Sequence, residues 1–487
     1  MHEIELKLQI PAHYFDALNK AFLTKTTQQI DLHARYFDTE DCLLAQNLMA
    51  IRIRKENTRW IQTFKSSGES HLQRFEHEFD LGSSDEIPNL NLDIYQQHPQ
   101  ALRLLNQALG ENWQQLQLQF ETIVHRRYRL MNVNGSKIEV CLDLGTLKSL
   151  QQERPIQEIE FELKSGDLTD LIDLTSQWVN RYHLWLDVRS KAERGHLLAQ
   201  GKLVSPATTA KTLQLDKASL PENALKAMIA NSLEQILPNV AAIAEQIAEP
   251  AHIHQARVGI RRLRSALQSF SAWSKQIDPA WAAQVTELFR QLGTSRDETV
   301  VYQEILPKVI EAGFSIDLAQ PTPCTTILAQ VFQDPITTQL WLDLLDFAYT
   351  PSLAAHQKKN LKKKADKVLS MLHGKILKNA IQYQKLSIEQ KHRLRKQLKR
   401  LRYSIEFVKD LYPEHKINDY LEQLAPVQNA LGQYNDTLIA EHVFKQNTQK
   451  SSSQTSAINW LKGQHPSHEK QVLKKLKKFI KLKPIWN

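Results

Sequence analysis

The sequence has few of the residues that mark disulfide-rich or membrane-spanning proteins. Of its 487 residues only three are cysteines, Cys42, Cys141 and Cys324, and they are widely spaced. Their odd number and their spacing argue against a disulfide framework and a cysteine-based zinc motif, and suit a reducing compartment. No stretch approaches the roughly 18 consecutive apolar residues of a membrane span, and the first residues lack the pattern of a signal peptide. We therefore expect a cytoplasmic protein without a membrane partner.

Acidic residues are relatively scarce in the second part of the chain. Residues 1–203 contain 23 Lys and Arg against 28 Asp and Glu, a net charge of −5, whereas residues 204–487 contain 39 against 25, a net charge of +14. The total of +9 thus hides a strong asymmetry. An asymmetry of this size predicts two modules with different partners, of which the second should attract a polyanion.

The hydrophobic pattern also changes along the chain. Segments with the period-2 alternation of strands fill residues 1–200, and Asn134-Gly135 predicts a tight hairpin between two of them. From about residue 222 helical periodicity replaces the alternation. We predict an α+β domain dominated by antiparallel strands at 1–203, a linker at 204–218 and an all-α domain at 219–487.

Charged residues occupy one face of several predicted strands. Glu3, Glu5 and Lys7 share one face of the first strand, because alternate strand residues point the same way. The same alternation recurs around Arg52, Glu76, Glu139 and Glu158. One interpretation is a sheet with a solvated charged face. The other is a barrel with a charged interior, in which carboxylates would bind hard metal ions and basic residues would bind phosphate oxygens.

These charged segments, taken in order, resemble the CYTH family, also called the triphosphate tunnel metalloenzymes. The resemblance covers about residues 1–200. Its motifs are Glu3-x-Glu5-x-Lys7, Tyr36-Phe37-Asp38-Thr39, Ile51-Arg52-Ile53-Arg54, Thr63-Phe64-Lys65, Arg126, Glu139 with Asp143-Leu144-Gly145, Glu158-Ile159-Glu160-Phe161-Glu162, and Ser190-Lys191-Ala192-Glu193-Arg194-Gly195. One departure is His196, which stands where the family often has Tyr.

The resemblance implies an eight-stranded antiparallel barrel around a triphosphate tunnel, with Mg²⁺ or Mn²⁺ as cofactor. The implied phosphate ligands are Lys7, Arg52, Arg54, Lys65, Arg126 and Lys191. The implied metal ligands are Glu3, Glu5, Glu160, Glu162 and Asp143, and the implied catalytic set is Glu3, Glu5, Lys7, Glu160 and Glu162. Arg126 and Arg127 alternate, so only one of them can face the tunnel, and we favour Arg126.

The helical part contains an internal repeat of basic helices. In the first copy the residues His254, Arg257, Arg261 and Arg264 form one helical stripe, and 138 positions later His392, Arg395, Lys399 and Arg402 form another. Like charges at this spacing repel one another, so their repetition favours a polyanion site over a merely solvated face. The repeat predicts two similar helical bundles.

The two stripes and the Leu-Gly segments that follow them resemble the CHAD domain over about residues 220–487. That family is associated with inorganic polyphosphate, and the resemblance implies that both stripes bind it. Each His has basic neighbours on its stripe, a poor setting for a cation, so phosphate contact is the better interpretation.

The two resemblances together imply an inorganic triphosphatase that releases pyrophosphate and phosphate and also binds polyphosphate. Two alternatives stay open. The first is an enzyme that acts on an organic triphosphate such as thiamine triphosphate or a nucleotide, and the second is a non-catalytic protein that binds polyphosphate or nucleic acid. Few aromatic residues interleave with the basic helices, which argues against nucleic acid as a partner.

Overall fold

We describe a computed structural model of the 487-residue chain. The structure describes residues 2–68, 70, 72–314, 316, 318, 325–352, 360–446 and 452–486. Cys324 and the first part of the lysine-rich run near residue 360 lie outside these residues. The chain forms two compact units. Unit 1 comprises residues 1–209, 234–255 and 326–350, and unit 2 comprises residues 210–233, 256–325 and 351–487.

Unit 1 is built around one antiparallel sheet in the order β5-β4-β3-β2-β6-β7-β8-β1-β9. The additional pairing of β5 with β1 closes the eight long strands into a barrel. The strands are β1 (His2–Gln9), β2 (Gln28–Asp38), β3 (Met49–Glu56), β4 (Arg59–Ser67), β5 (Gln73–Ser83), β6 (Gln117–Val133), β7 (Ser136–Lys148), β8 (Glu153–Ser165) and β9 (Trp185–Leu186). The predicted closed barrel is confirmed.

The turn between β6 and β7 shows how the local sequence sets the strand register. β6 ends at Val133 and β7 begins at Ser136, and the two residues between them, Asn134 and Gly135, have φ angles of 50° and 96°. Positive φ at both central residues matches the right-handed twist of the flanking strands. The hairpin aligns Arg126 with Asp143, so the turn fixes a contact that lies deep in the barrel.

Helices cover the apolar outer surface of the barrel. The helices of the N-terminal 200 residues are α1 (Phe15–Ala21), α2 (Leu43–Gln46), α3 (Pro99–Leu109), α4 (Leu168–Tyr182) and α5 (Lys191–Ala199). One apolar cluster joins Leu105 of α3 to Ile51 and Phe64 of the sheet. On another side Trp178 of α4 lies edge-on to Phe161, with ring centroids 5.7 Å apart. The apolar residues of these strands thus point outward, which leaves the charged residues inside.

Helix α5 is different, because it packs inside one end of the barrel. Leu198 belongs to an apolar cluster with Tyr36, Phe120 and Val124 of the strands. Gly195 permits this position, since a Cβ there would overlap the ring of Phe120. The helix begins at Ser190, whose hydroxyl accepts a hydrogen bond from the backbone N–H of Glu193 at 3.0 Å. Helix α5 therefore brings Lys191 and Arg194 to the barrel interior.

The rest of the described chain is helical. Its helices are α6 (Pro221–Ala244), α7 (Pro250–Phe270), α8 (Pro279–Val300), α9 (Leu306–Glu311), α10 (Thr325–Gln333), α11 (Pro335–Tyr349), α12 (Leu361–Ile381), α13 (Ile388–Val408), α14 (Glu414–Gln446) and α15 (Ser452–Phe479). Both α7 and α13 have 21 residues. They begin and end 138 positions apart, which confirms the predicted repeat.

The second part of α6 and the whole of α11 belong to unit 1, although the sequence analysis assigns them to the helical domain. Thr169 of α4 donates a hydrogen bond to Asp346 of α11 at 2.9 Å, and Arg189 lies 2.5 Å from Glu245. Residues 204–218 form no helix or strand. The predicted domain boundaries at 203 and 219 stay a prediction.

Among the described residues, no helix is both long and apolar enough to cross a membrane.

Candidate active site

Acidic and basic side chains from several strands line the barrel interior. Pairing aligns Lys7 of β1 with Glu160 of β8, Arg126 of β6 with Asp143 of β7, and Lys65 of β4 with Glu76 of β5. Directly paired residues point to the same face of a sheet. Arg126 therefore faces the interior, whereas Arg127 points outward and bonds Asn19 at 2.6 Å.

One group of charges forms where β5 closes on β1. The ammonium of Lys65 lies 2.9 Å from Glu3 and 2.8 Å from Glu76, and Arg74 lies 2.8 Å from Glu5. Burial acts to lower the pKa of Lys65, but the neighbouring carboxylates outweigh burial and raise it. Burial is also the main cause of a raised pKa at Glu3. Both predicted β1 carboxylates are therefore held by cations.

Arg52 and Arg54 lie next to this first group. Arg52 donates to the hydroxyl of Tyr36 at 3.4 Å and lies 3.7 Å from Glu76. Arg54 is ion-paired with Glu56 and lies 3.8 Å from Glu78. Burial and the positive charge of Arg52 lower the pKa of Arg54. Because the two buried guanidinium groups repel each other, an additional anion bound between them would be favourable.

A second group surrounds Lys191, which α5 carries into the barrel. Its ammonium lies 2.7 Å from Asp143, 2.5 Å from Glu158 and 2.8 Å from Glu160. Burial alone would lower the pKa of Lys191, yet these three carboxylates raise it well above its ordinary value. Arg126 completes the group, with its Nη2 2.5 Å from Glu160.

Lys7 has little compensation for its buried charge. Only 5% of its surface is exposed. Burial, together with the charges of Arg194 and Arg74, lowers its pKa to about 8, and Glu158 and Asp187 only partly oppose this shift. An anion beside the ammonium would restore its ordinary pKa, because an opposite charge favours the charged form. Lys7 is thus suited to bind a phosphate.

Glu162 lies among other carboxylates. The strand register places it directly opposite Glu5 on one side and Glu139 on the other. Burial raises the pKa of Glu162 to about 7, and the negative charges of Glu3 and Glu139 contribute, although Lys164 at 2.6 Å opposes them. A carboxyl group with a raised pKa keeps its proton more readily, and a cation bound beside it would favour the charged form.

The predicted metal ligands therefore divide between two places, and each place contains a further carboxylate, Glu158 in one and Glu139 in the other. Asp143, Glu158 and Glu160 have carboxylate oxygens within 4.8 Å of one another. The other place is the row formed by Glu5, Glu162 and Glu139. Both are formed by carboxylate oxygens, the donor type that Mg²⁺ and Mn²⁺ prefer, and the thiol of Cys141 lies 3.8 Å from Glu139 in the second place. The residues present fit such an ion, and the raised pKa of Glu162 favours the second place.

Several interior residues were missing from the sequence-based site. They are Arg74, Glu158, Arg194 and Glu139, and each lies on the charged face of an interior element. The period-2 alternation that pointed to their neighbours also contains Arg74, Glu139 and Glu158. Arg194 contacts Glu158 from α5, and its position inside the barrel has no strand pattern to reveal it.

The residues of the first basic stripe differ in burial and in their contacts. Arg257 is buried and donates to the backbone carbonyls of Leu292 and Gly293 at 2.6 and 2.9 Å. Arg261 and Arg264 lie over the ring of Phe289, 5.0 and 4.5 Å from its centroid. His254 of the same helix is exposed and belongs to unit 1.

The second stripe is partly paired as well. Nδ1 of His392 lies 2.7 Å from Asn435, Arg395 lies 3.9 Å from Asp436, and Arg402 bonds Glu406 at 2.7 Å. Lys399 is half-buried.

The two repeats meet at Arg264. Burial lowers its pKa, and so do the charges of Arg261 and Arg400. Lys396 has a lowered pKa through burial and through Arg264 and Arg395. Basic residues of α7 and α13 therefore form one concentrated positive region.

Comparisons with known proteins agree with both parts. Residues 1–195 match the family model of the CYTH domain, and residues 227–445 match that of the CHAD domain. The inorganic triphosphatase of Haemophilus influenzae is 32% identical over 212 residues, which cover 42% of this chain and 57% of that protein. The chain thus spans little more than half of the length of this curated relative.

Two solved structures are similar over part of the chain. The CHAD domain from the plant Ricinus communis has 27% sequence identity and a TM-score of 0.47, over 57% of this chain and 98% of that one. HpAC1 from Hippeastrum, for which a dominant triphosphatase activity is described, has 19% identity and a TM-score of 0.29, over 42% of this chain and 97% of that one.

Proposed function

Because the chain belongs to the proteins in which a CYTH domain precedes a CHAD domain, we propose that its barrel hydrolyses inorganic triphosphate to pyrophosphate and phosphate. The observation that carries this proposal is the closed barrel whose interior holds cations and carboxylates together. A site that only bound anions would gain nothing from carboxylates beside its cations. Hydrolysis of a phosphoric anhydride needs both, since one set positions the phosphates and the other holds a metal ion.

The cations of the barrel would bind the phosphate chain. Burial lowers the pKa of Lys7 and of Arg54, and Arg52 lies 3.7 Å from Glu76, so these three are the first candidates for phosphate oxygens, because an anion would favour their charged form. Lys65, Arg126 and Lys191 are already paired with carboxylates. On binding, these three would exchange a carboxylate oxygen for a phosphate oxygen, and arginine can do so with two parallel hydrogen bonds.

The carboxylates would hold Mg²⁺ or Mn²⁺ and orient the attacking water. Glu5, Glu162 and Glu139 are our first choice for metal ligands, with Glu3 beside them. Asp143 and Glu160 are the second choice, because Arg126 and Lys191 neutralise them. When bound, the ion supplies charge stabilisation to the phosphoryl group under attack and polarises water. A buried carboxylate near the ion could then accept a proton from that water.

The substrate is tested by comparing kcat/KM for inorganic triphosphate, ATP and thiamine triphosphate. We expect triphosphate to be preferred by at least tenfold, because the interior offers charge for phosphates throughout. A preference for either organic substrate would move the assignment to the corresponding class of enzyme. The variant Arg59→Gln is a control that should keep the substrate preference of the wild type, because Arg59 lies at the exposed end of β4, with 62% of its side chain exposed.

We also propose that unit 2 binds inorganic polyphosphate. Support comes from the positive region formed by Arg261 and Arg264 of α7 with Lys396 of α13, and Lys399 lies three residues further along the same helix. Arg257, which belongs to the predicted stripe, donates instead to the backbone carbonyls of α8 and acts in packing. Binding is tested by titration with long-chain polyphosphate at several salt concentrations. Tight binding that weakens steeply with salt is expected for a polyanion, whereas binding that is unaffected by salt would contradict the proposal.

A further inference from the structure

A second group of metal-type ligands lies at the end of β2. The side chains of Asp38, Cys42 and His196 are all buried, and their ligand atoms lie within 4.8 Å of one another. Asp38 ends β2, Cys42 directly precedes α2, and His196 lies on α5. A carboxylate, a thiol and an imidazole thus converge from three elements.

His196 is the observation that points to a ligand. Only 3% of its surface is exposed, and neither ring nitrogen has a hydrogen-bond partner among the residues that the structure describes. Its Nδ1 lies 3.8 Å from Oδ2 of Asp38, which is too far for a hydrogen bond. Buried polar groups without partners are rare in native proteins, and each needs an explanation such as an ion or water that completes the site.

Asp38 and Cys42 are held in place by their own local structure. Oδ1 of Asp38 accepts from the backbone N–H groups of Thr39 and Leu44 at 2.8 and 2.9 Å, and Oδ2 accepts from Ala45 at 2.9 Å. Cys42 has a φ of 58°, in the left-handed region that is uncommon for residues other than glycine. Its sulfur lies 3.1 Å from Nε2 of Gln200. The carboxylate is therefore oriented, and its Oδ2 has capacity for a further contact.

We propose that Asp38, Cys42 and His196 bind a zinc-class divalent cation, through Oδ2, Sγ and a ring nitrogen. Carboxylate oxygen, thiolate sulfur and imidazole nitrogen are the donors that Zn²⁺ uses in proteins. Binding would convert the Cys42 thiol to a thiolate and release its proton to solvent, as is general for cysteine ligands. Cysteine spacing along the sequence gives no sign of this site, because only one cysteine takes part.

This site differs from the tunnel in its donor atoms and in its expected effect on the protein. The tunnel groups are formed by carboxylates, with the thiol of Cys141 3.8 Å from Glu139, whereas this site combines sulfur with nitrogen, and these donors favour softer ions over Mg²⁺. A bound ion would tie β2 and α2 to α5, the helix that carries Lys191 to the barrel interior. The site would thus hold the interior helix in position and contribute to stability without touching the substrate.

Cobalt provides the spectroscopic test, because a thiolate ligand gives Co²⁺ a charge-transfer absorption in the near ultraviolet. The full chain is freed of metal with a chelator and titrated with Co²⁺ in excess Mg²⁺, which occupies oxygen-only sites. We expect this absorption to saturate at one equivalent, and Zn²⁺ to abolish it by displacement. Absence of the absorption in the wild-type chain would overturn the proposal.

Two cysteine variants locate the thiolate. Cys42→Ser should lose the absorption, whereas Cys141→Ser, which removes another buried thiol of the barrel, should keep it. His196→Phe should weaken Co²⁺ binding at least tenfold. An absorption that survives in Cys42→Ser, or vanishes in Cys141→Ser, contradicts the assignment. X-ray absorption of the zinc-loaded wild type needs no variant: a sulfur scatterer at about 2.3 Å is expected, and a shell without sulfur overturns the proposal.

Stability gives a readout of the structural consequence. Zn²⁺ should raise the thermal midpoint of the wild type and of Cys141→Ser, because an ion that binds only the folded state stabilises it. It should leave the midpoint of Cys42→Ser unchanged. An equal shift in all three proteins would place the bound zinc elsewhere.

Discussion

Arg126 and Asp143 face each other across the β6–β7 ladder and are joined by two parallel hydrogen bonds. Nε donates to Oδ1 and Nη2 donates to Oδ2, both at 2.7 Å. Burial would raise the pKa of Asp143, but Arg126 and Lys191 lower it. The guanidinium therefore both holds a carboxylate in its charged form and offers its remaining donors to the barrel interior.

Replacing Arg126 tests its proposed contact with the substrate. Arg126→Gln should raise KM or lower kcat for triphosphate by about tenfold to a hundredfold, because it removes a charge-assisted bond of about 1.5–3 kcal/mol. Steady-state kinetics measures the effect. Arg127→Gln is the matched control, since Arg127 is the next residue on the same strand and points outward. Equal losses in both variants would mean that the interior position of Arg126 has no role in catalysis.

The contact between Asp187 and Arg189 predicts acid sensitivity. Burial acts to raise the pKa of Asp187, but Arg189, Lys7 and Arg194 outweigh it and hold the pKa below its ordinary value. A carboxyl group of this kind stabilises the fold above its unfolded pKa of about 3.9, and this contribution is lost as the pH falls through the folded pKa. Asp187→Asn should therefore lower the free energy of unfolding by about 3 kcal/mol at pH 7.

The difference between wild type and Asp187→Asn should shrink as the pH falls below about 4. Denaturant unfolding at pH 7, 5 and 3 measures it. Asp85→Asn, at an exposed loop position, should show no difference at any of these pH values. A difference that stays constant down to pH 3 would show that the charge of Asp187 is not what stabilises the fold.

A fragment of residues 1–203 should still form the barrel but should be less stable than the full chain. In the full chain α4 packs on α11, and Arg189 is paired with Glu245. The fragment lacks both partners, so we expect triphosphatase activity with a thermal midpoint several degrees lower. Activity assays and thermal unfolding of fragment and full chain provide the comparison. A fragment that is folded by circular dichroism yet inactive would show that residues 234–255 or 326–350 complete the active site.

Polyphosphate binding should depend on the region where the two basic helices meet. Combined replacement of Arg261, Arg264, Lys396 and Lys399 by Ala should remove most of the affinity without changing triphosphate hydrolysis. The control removes the same charge from exposed positions of α15, namely Lys470, Lys474, Lys477 and Lys478. Isothermal titration with long-chain polyphosphate compares the two proteins. If the control loses affinity and the first variant keeps it, the site lies on α15.

Much of the barrel could be predicted from the sequence because alternation has one physical meaning in a strand. Glu3, Glu5 and Lys7 had to share a face, and the apolar residues between them had to be covered. The choice between a solvated face and a closed interior is a matter of long-range pairing. The contact of β5 with β1 decides it, and no local pattern encodes that contact.

The partners of the charged residues were harder to predict. Lys191 was predicted only as part of a motif, whereas the structure places it at the start of α5, a helix that the packing of Gly195 against Phe120 brings inside the barrel. Likewise Arg257 fits the basic stripe by spacing, yet it is buried against carbonyls of α8. Helical periodicity gives the side of a helix on which a residue lies and leaves open whether that side meets solvent or another helix.

Phosphate release from inorganic triphosphate by the full chain is the most direct test of the central claim. It should be measured with Mg²⁺, with EDTA, and for Glu5→Gln, in which a carboxylate opposite Glu162 loses its charge without a change of volume. Glu153→Gln is the control, because Glu153 lies at the exposed end of β8. We predict hydrolysis with Mg²⁺, its loss in EDTA and in Glu5→Gln, and no effect of Glu153→Gln. Hydrolysis that persists in EDTA, or a Glu5→Gln variant with more than half of the activity at saturating Mg²⁺, would contradict the account.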